Sequence, residues 1–203
     1  ISLVEHLLAA LHVKGWWRNL LIEVSAAELP ILDGSSLGWI EHIEGLGQPP
    51  CEPESLILSN SINVSVSESH LCAQPGTPSL RVNIDFEHPS IGQQSWQGSP
   101  KDYASLLDAR TFGFLKDLET LQETGLARHA SLENAMVFDD TGPLTPLRYA
   151  DEPVRHKALD ALGDLFLLGR PLKGSLEISK GSHQSHVTLV KRLLTLQPNG
   201  IIA

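Results

Sequence analysis

Apolar residues recur at helical spacing over residues 2–12, where Leu7, Leu8 and Leu11 share one side and Ala9 and Ala10 fill in beside them. The Ser2-x-x-Glu5 spacing matches a capping box, in which Glu5 reaches back to the amide at the helix start. Residues 20–24 read as a short apolar strand, and Asp33-Gly34 punctuates a tight turn after Leu29-Pro30-Ile31-Leu32. A second amphipathic helix follows at 36–46. The run 47–53, with three prolines and a glycine, breaks every periodicity and marks the best domain boundary. Beyond it, 55–58, 62–66 and 80–86 are strand candidates, the last two alternating as a half-buried antiparallel sheet does. Residues 88–100, with Gly92, Trp96 and Gly98, read as a loop. Helical segments are expected at 102–107 and at 115–123, the latter ended by Gly125, with a strand at 134–139.

The helix opening near Pro153 has the clearest pattern. Leu159, Leu162, Leu165 and Phe166 give it a buried stripe, Asp151 is placed to cap it, and Pro153 stands in the first turn, where its missing N–H does no harm. A strand at 175–179, a loop through Gly181-Ser182-His183 and a helix over 187–196 complete the chain. Strands come in runs and no glycine-rich phosphate loop appears, so the expected class is α+β rather than a doubly wound parallel sheet. The expected division is 1–50, the remainder of a first α+β domain, and 51–203, a second.

Composition narrows the function. Of 203 residues, 41% are apolar and 19% charged, which is ordinary for a globular chain, and the net charge of −9 argues against a nucleic-acid or anionic-membrane surface. Cys51 and Cys72 lack metal-site spacing and fit a reducing compartment. No apolar run approaches membrane-spanning length. The start has no Met and no basic region before its apolar stretch; it reads as a chain beginning partway through a fold, not as a signal peptide.

Candidate chemistry sits in Pro153-Val154-Arg155-His156-Lys157-Ala158-Leu159-Asp160-Ala161-Leu162-Gly163-Asp164. His156 and Asp160 are one helical turn apart on one face, and an imidazole with a carboxylate there makes two of the three protein ligands of an open catalytic zinc site. The same spacing equally suits an ordinary His–Asp pair. Lys157 lies off that face, close enough to meet a charged group beside a metal.

Several runs together resemble a bacterial zinc amidohydrolase family, the UDP-3-O-acyl-N-acetylglucosamine deacetylases (LpxC). They are Val4-Glu5-His6-Leu7-Leu8-Ala9-Ala10-Leu11, Pro30-Ile31-Leu32-Asp33-Gly34-Ser35, Ile84-Asp85-Phe86-x-His88-Pro89, Ala109-Arg110-Thr111-Phe112-Gly113-Phe114 and Ser131-Leu132-Glu133-Asn134-Ala135. The helix run from Asp151 to Asp164 and Lys180-x-x-His183 complete the set, in family order over nearly the whole chain. The resemblance implies two α+β domains whose sheets sandwich the helices, with a metal site at the junction. The family's opening strands precede the Glu-His helix, so the resemblance also implies a fragment or truncated relative lacking part of the first domain.

By the same resemblance His6 joins His156 and Asp160 as zinc ligands, with ferrous iron as the alternative metal. Glu5 is implied as general base, Thr111 as the hydroxyl steadying the oxyanion, and His183, held protonated by Asp164, as partner of the oxyanion and the leaving amine. Lys157 and Phe112 are implied substrate contacts. The implied activity is removal of the acetyl group from a UDP-linked 3-O-acyl-glucosamine, early in lipid A synthesis in the cytoplasm, by a monomer with no nucleic-acid partner. Competing readings are a metal-binding relative impaired in catalysis and a deacetylase of another acetamido sugar. Departures from the family pattern are local. Arg128-His129-Ala130 stands where small residues line the acyl passage, so His129 is expected to restrict it. Lys180-Gly181-Ser182-His183-Gln184-Ser185-His186 replaces a usual Lys-Ser-Gly-His-Ala-Leu-Asn, which makes His186 a competitor of His183. Pro153 takes an aromatic's place, and Trp16-Trp17-Arg18 adds a residue to a turn.

Overall fold

A computed structural model of the chain describes residues 1–51, 53–117 and 134–196. The helices are α1 (Glu5–Lys14), α2 (Leu37–Glu44), α3 (Glu152–Leu165) and α4 (His183–Leu196). The strands are β1 (Leu56–Ile57), β2 (Ile62–Val66), β3 (Ser69–Gln74), β4 (Ser79–Phe86), β5 (Gly92–Gly98), β6 (Phe112–Phe114), β7 (Met136–Phe138), β8 (Leu172–Lys173) and β9 (Ser175–Ser179). The mixture is α+β, as the element pattern anticipated.

Five strands form the main sheet in the order β2-β3-β9-β4-β5. Only β4 and β9 run parallel; the other neighbours are antiparallel. The pleat sends alternate side chains to opposite faces, so Leu80, Val82 and Ile84 of β4 and Leu176 and Ile178 of β9 line one buried face. α3 lies over β4 and β5, and α4 over β2 and β3, with Leu159, Leu162, Leu189 and Leu193 closing the core. A smaller cluster joins Leu7, Ala10, Leu11, Trp16, Leu29 and Ile43, while Ala9 of the same α1 belongs to the main core. α1 thus has two apolar faces, and it packs along α3.

Several local expectations give way. α1 starts at Glu5, its N-cap is Val4 and no side chain caps it, so the Ser2–Glu5 box does not form; Ser2 instead bridges to Glu28 and bonds Ala27. Residues 20–24 are not a strand: Leu21 is 85% exposed and no neighbouring strand offers a ladder among the described residues. Residues 92–98 are β5 rather than loop, paired along their whole length with β4. β3 was not anticipated at all. Asp151 forms an ion pair with Arg155 in place of a cap. Finally, α4 begins one turn early, so His183 opens a helix instead of closing a loop. The expected helix at 115–123 lies mostly, and its terminator Gly125 wholly, outside the described residues.

Candidate metal centre and active site

Backbone packing brings the site residues together. Gly163 of α3 is the contact point: a Cβ there would stand 2.1 Å from the Glu5 carbonyl oxygen. Only a glycine lets the first turn of α1 lie this close, and that turn carries both Glu5 and His6. The 33–36 segment fixes the turn from the other side. Ser36, fully buried, donates its hydroxyl to the His6 carbonyl at 2.7 Å, and its N–H bonds the Leu107 carbonyl. Gly34, at φ +81°, accepts from the Thr111 N–H at 2.7 Å, and a Cβ on it would collide with the Asn134 backbone.

At this crossing His6, His156 and Asp160 are each 2% exposed, and each offers a ligand atom within 4.8 Å of the others. Asp160 Oδ1 lies 3.2 Å from His156 Nε2 and 4.0 Å from His6 Nε2. The His156 Nδ1–H donates to the Ala109 carbonyl at 3.1 Å, which leaves the Nε2 lone pair facing the carboxylate. Asp160 Oδ1 is buried with no hydrogen bond to satisfy it. Acceptor thus confronts acceptor in a buried pocket, an arrangement that costs free energy unless a cation lies between them. Two imidazoles and one carboxylate are the donor set of an open divalent-metal site, and the residues fit one.

The charges respond to this crowding. Burial, with His156 alongside, pushes the His6 imidazole down to about 4. Burial would raise Asp160, yet the Lys157 ammonium beside it holds its carboxyl well below the usual range. Lys157 Nζ donates to Asp160 Oδ2 at 2.9 Å, which raises its own pKa, and it stands 5.8 Å above the Phe112 ring. The lysine expected to meet substrate is therefore also tied to the carboxylate. Phe112 sets its ring edge-on to His156 at 6.5 Å.

Beside this cluster Glu5 and His183 face each other, Oε1 to Nε2, at 3.9 Å. Burial raises the Glu5 carboxyl. The hydrogen bond from His183 Nδ1 to Asp164 Oδ2, 2.8 Å long, raises the imidazole to about 9 against the opposing effect of burial. His183 remains half exposed. Asp164 follows Asp160 by one turn of α3, so one helix face supplies His156, Asp160 and Asp164 in sequence. Thr111 lies two residues beyond the carbonyl that His156 bonds, at the entry to β6. His129, the candidate for the acyl passage, lies outside the described residues.

A supporting network was missed in the sequence. Glu152 is fully buried and accepts from the Arg110 N–H, Nε and Nη2 and from the Arg148 N–H, at 2.6 to 3.1 Å. Burial alone would raise its carboxyl, but Arg110 brings it below the ordinary value. Arg148 also reaches Asp33 at 2.9 Å. The network clamps residues 109–111 to the start of α3 and to the 33–36 segment. The only sequence signal was a pair of charges flanking apolar runs, with nothing to match them over 42 positions.

A sequence model described as UDP-3-O-acyl N-acetylglycosamine deacetylase matches residues 1–195. Similar curated proteins carry the name UDP-3-O-acyl-N-acetylglucosamine deacetylase. One from Leptospira biflexa serovar Patoc is 41% identical, over 96% of this chain and 67% of its own length. One from Thermodesulfovibrio yellowstonii is 39% identical (96% and 68%), and one from Thermosynechococcus vestitus 40% (95% and 69%).

Proposed function

Because the chain belongs to the UDP-3-O-acyl N-acetylglycosamine deacetylase family, we propose that it hydrolyses the acetamide of a UDP-3-O-acyl-N-acetylglucosamine, as a metal-dependent step toward lipid A. We place the site where residues 1–50, through Glu5 and His6, meet residues 51–203, which supply the other groups. The observation carrying this reading is that a carboxylate and an imidazole with raised pKa values flank a buried His₂Asp set. An acid and a base on either side of a Lewis-acid position are what amide hydrolysis needs.

In this reading His6, His156 and Asp160 hold zinc or ferrous iron, which, when bound, polarises the carbonyl and lowers the pKa of water. Glu5 takes a proton from the attacking water as its oxygen bonds to the acetyl carbon. Thr111 donates to the oxyanion that forms on the substrate, and protonated His183 opposes its charge. When the C–N bond breaks, His183 gives its proton to the glucosamine nitrogen, and acetate leaves. Asp164 keeps the imidazole charged and correctly turned until then. Lys157 and Phe112 bind the substrate's polar groups and sugar face, and His129 limits the acyl passage.

Acetate release from the UDP-sugar, measured with chelator and after return of zinc or ferrous iron, tests the proposal. Metal-dependent release is expected. A chain that binds one metal per molecule but releases no acetate is a binding protein, and the reading fails. Among the described residues no helix is long and apolar enough to cross a membrane.

A further inference from the structure

One group near the site has no part in that mechanism. His186 lies one turn beyond His183 on α4, with its side chain 3% exposed. Its Nδ1 stands 2.7 Å from Asp164 Oδ2, the oxygen that His183 Nδ1 reaches at 2.8 Å. A carboxylate only accepts, so both imidazoles must donate their Nδ1–H to that one oxygen. His186 Nε2 is buried without a partner and fills the space beside Gly181, where a Cβ would lie 2.6 Å from it. The ring is therefore held in place by the carboxylate at one end and by the bare glycine at the other.

We propose that His186 is a positioning residue that competes with His183 for Asp164 Oδ2, thereby fixing the carboxylate rotamer and limiting its pull on the His183 proton. The proposal rests on the reading of His183 as the acid given above. An oxygen that already accepts one N–H is a weaker acceptor for a second, so His183 is held less tightly than by an Asp164 of its own. The bond also pins Asp164 between α3 and α4, so His183 points at Glu5 rather than into solvent. The charged and titratable groups facing His183 are His6 and Glu5 of α1, Asp160 and Asp164 of α3, and His186 itself. Of these, only His186 shares a carboxylate oxygen with His183 among the described residues.

The test is a side-chain nitrogen NMR titration of His183 in the full chain, which needs no turnover, beside a pH profile of kcat. In His186→Leu the titration midpoint and the basic limb of kcat are expected to rise together by about 0.5–1 pH unit. kcat at neutral pH should fall roughly tenfold, since the carboxylate and imidazole lose their fixed orientation. His186→Asn puts an amide N–H where Nδ1 was and is expected to restore the midpoint to within about 0.3 unit and most of kcat. Should His186→Leu fail to unfold cooperatively, His186→Gln replaces it, with its N–H one bond too far out. An unchanged or lowered midpoint in the Leu or Gln variant, or an Asn variant no better than Leu, overturns the proposal. If His183 titrates as expected in the variants while no acetate is ever released, the hydrolase reading fails and this one stands.

Discussion

Glu5 stands in the first turn of α1, where a carboxylate would ordinarily be explained by the helix dipole. Its surroundings suit a base better: burial raises its pKa, and His183 is its nearest cationic partner at 3.9 Å. Glu5→Gln is expected to cut turnover by about 10²–10⁴-fold while leaving bound metal and cooperative unfolding intact. Loss of metal in that variant would instead make Glu5 a ligand. His183 carries a second prediction. Its folded pKa of about 9 lies above the ordinary 6.5, so the ion pair with Asp164 contributes fully below pH 6.5 and is lost as pH rises through 9. kcat should therefore fall on the alkaline side with a midpoint near 9, and His183→Gln should remove that limb with most of the activity; a limb unchanged in the variant would assign it elsewhere. At this scale the sequence was readable where chemistry follows a period. His156, Asp160 and Asp164 repeat every four residues, and helical geometry puts them on one face. Glu152 and Arg110 obey no period, so their buried pairing shows only once the chain has folded.

Among elements, the α1–α3 crossing matters most, because the two helices bring the residues from either end of the chain to one place. Gly163 sets their separation. Gly163→Ala is expected to destabilise by about 1–3 kcal/mol, since the added methyl meets backbone that has nowhere to go. It should also lower metal affinity, because relief of the clash moves the turn bearing His6. Gly45→Ala is the matched control: at the end of α2 its Cβ would make ordinary contact, and a change within about 0.5 kcal/mol is expected from urea unfolding. Equal effects of the two substitutions would show that the crossing is not tight. Alternation made β2 and β4 plain, since each has one buried and one solvated face. β5 was hidden because Gly92-Gln93-Gln94-Ser95-Trp96-Gln97-Gly98 buries almost only Trp96, so its strand character comes from pairing with β4 rather than from its own residues. The apolar run at 20–24 erred the other way: branched residues were present, but no neighbouring ladder among the described residues.

For the whole molecule, the donors of the proposed metal site come from α1 and α3, so its occupancy and the stability of the fold are expected to be linked. A metal that binds only the folded chain adds about 2.7 kcal/mol at a hundred times its dissociation constant. Acid acts through the same residues. His6 is pushed down to about 4, below its ordinary 6.5, so the unfolded chain binds the proton first as pH falls. The sign is therefore destabilising through the window from 6.5 to 4, by on the order of 3 kcal/mol from this imidazole. Because that proton goes to the unfolded chain, this loss is the same whether or not a metal occupies the folded site. A bound metal therefore raises stability by a roughly constant amount until the pH nears 4, where protons begin to compete for the folded His6 ring. His12, equally depressed to about 4 by burial but outside the proposed ligand set, adds acid sensitivity of the same sign. Urea unfolding at pH 7, 5.5 and 4.5, with zinc and with chelator, measures the difference. The two curves should stay roughly parallel down to pH 4.5, and His6→Asn should shrink the gap between them at every pH. A gap left unchanged by His6→Asn would mean that His6 does not hold the ion, and the ligand set would have to be sought without α1.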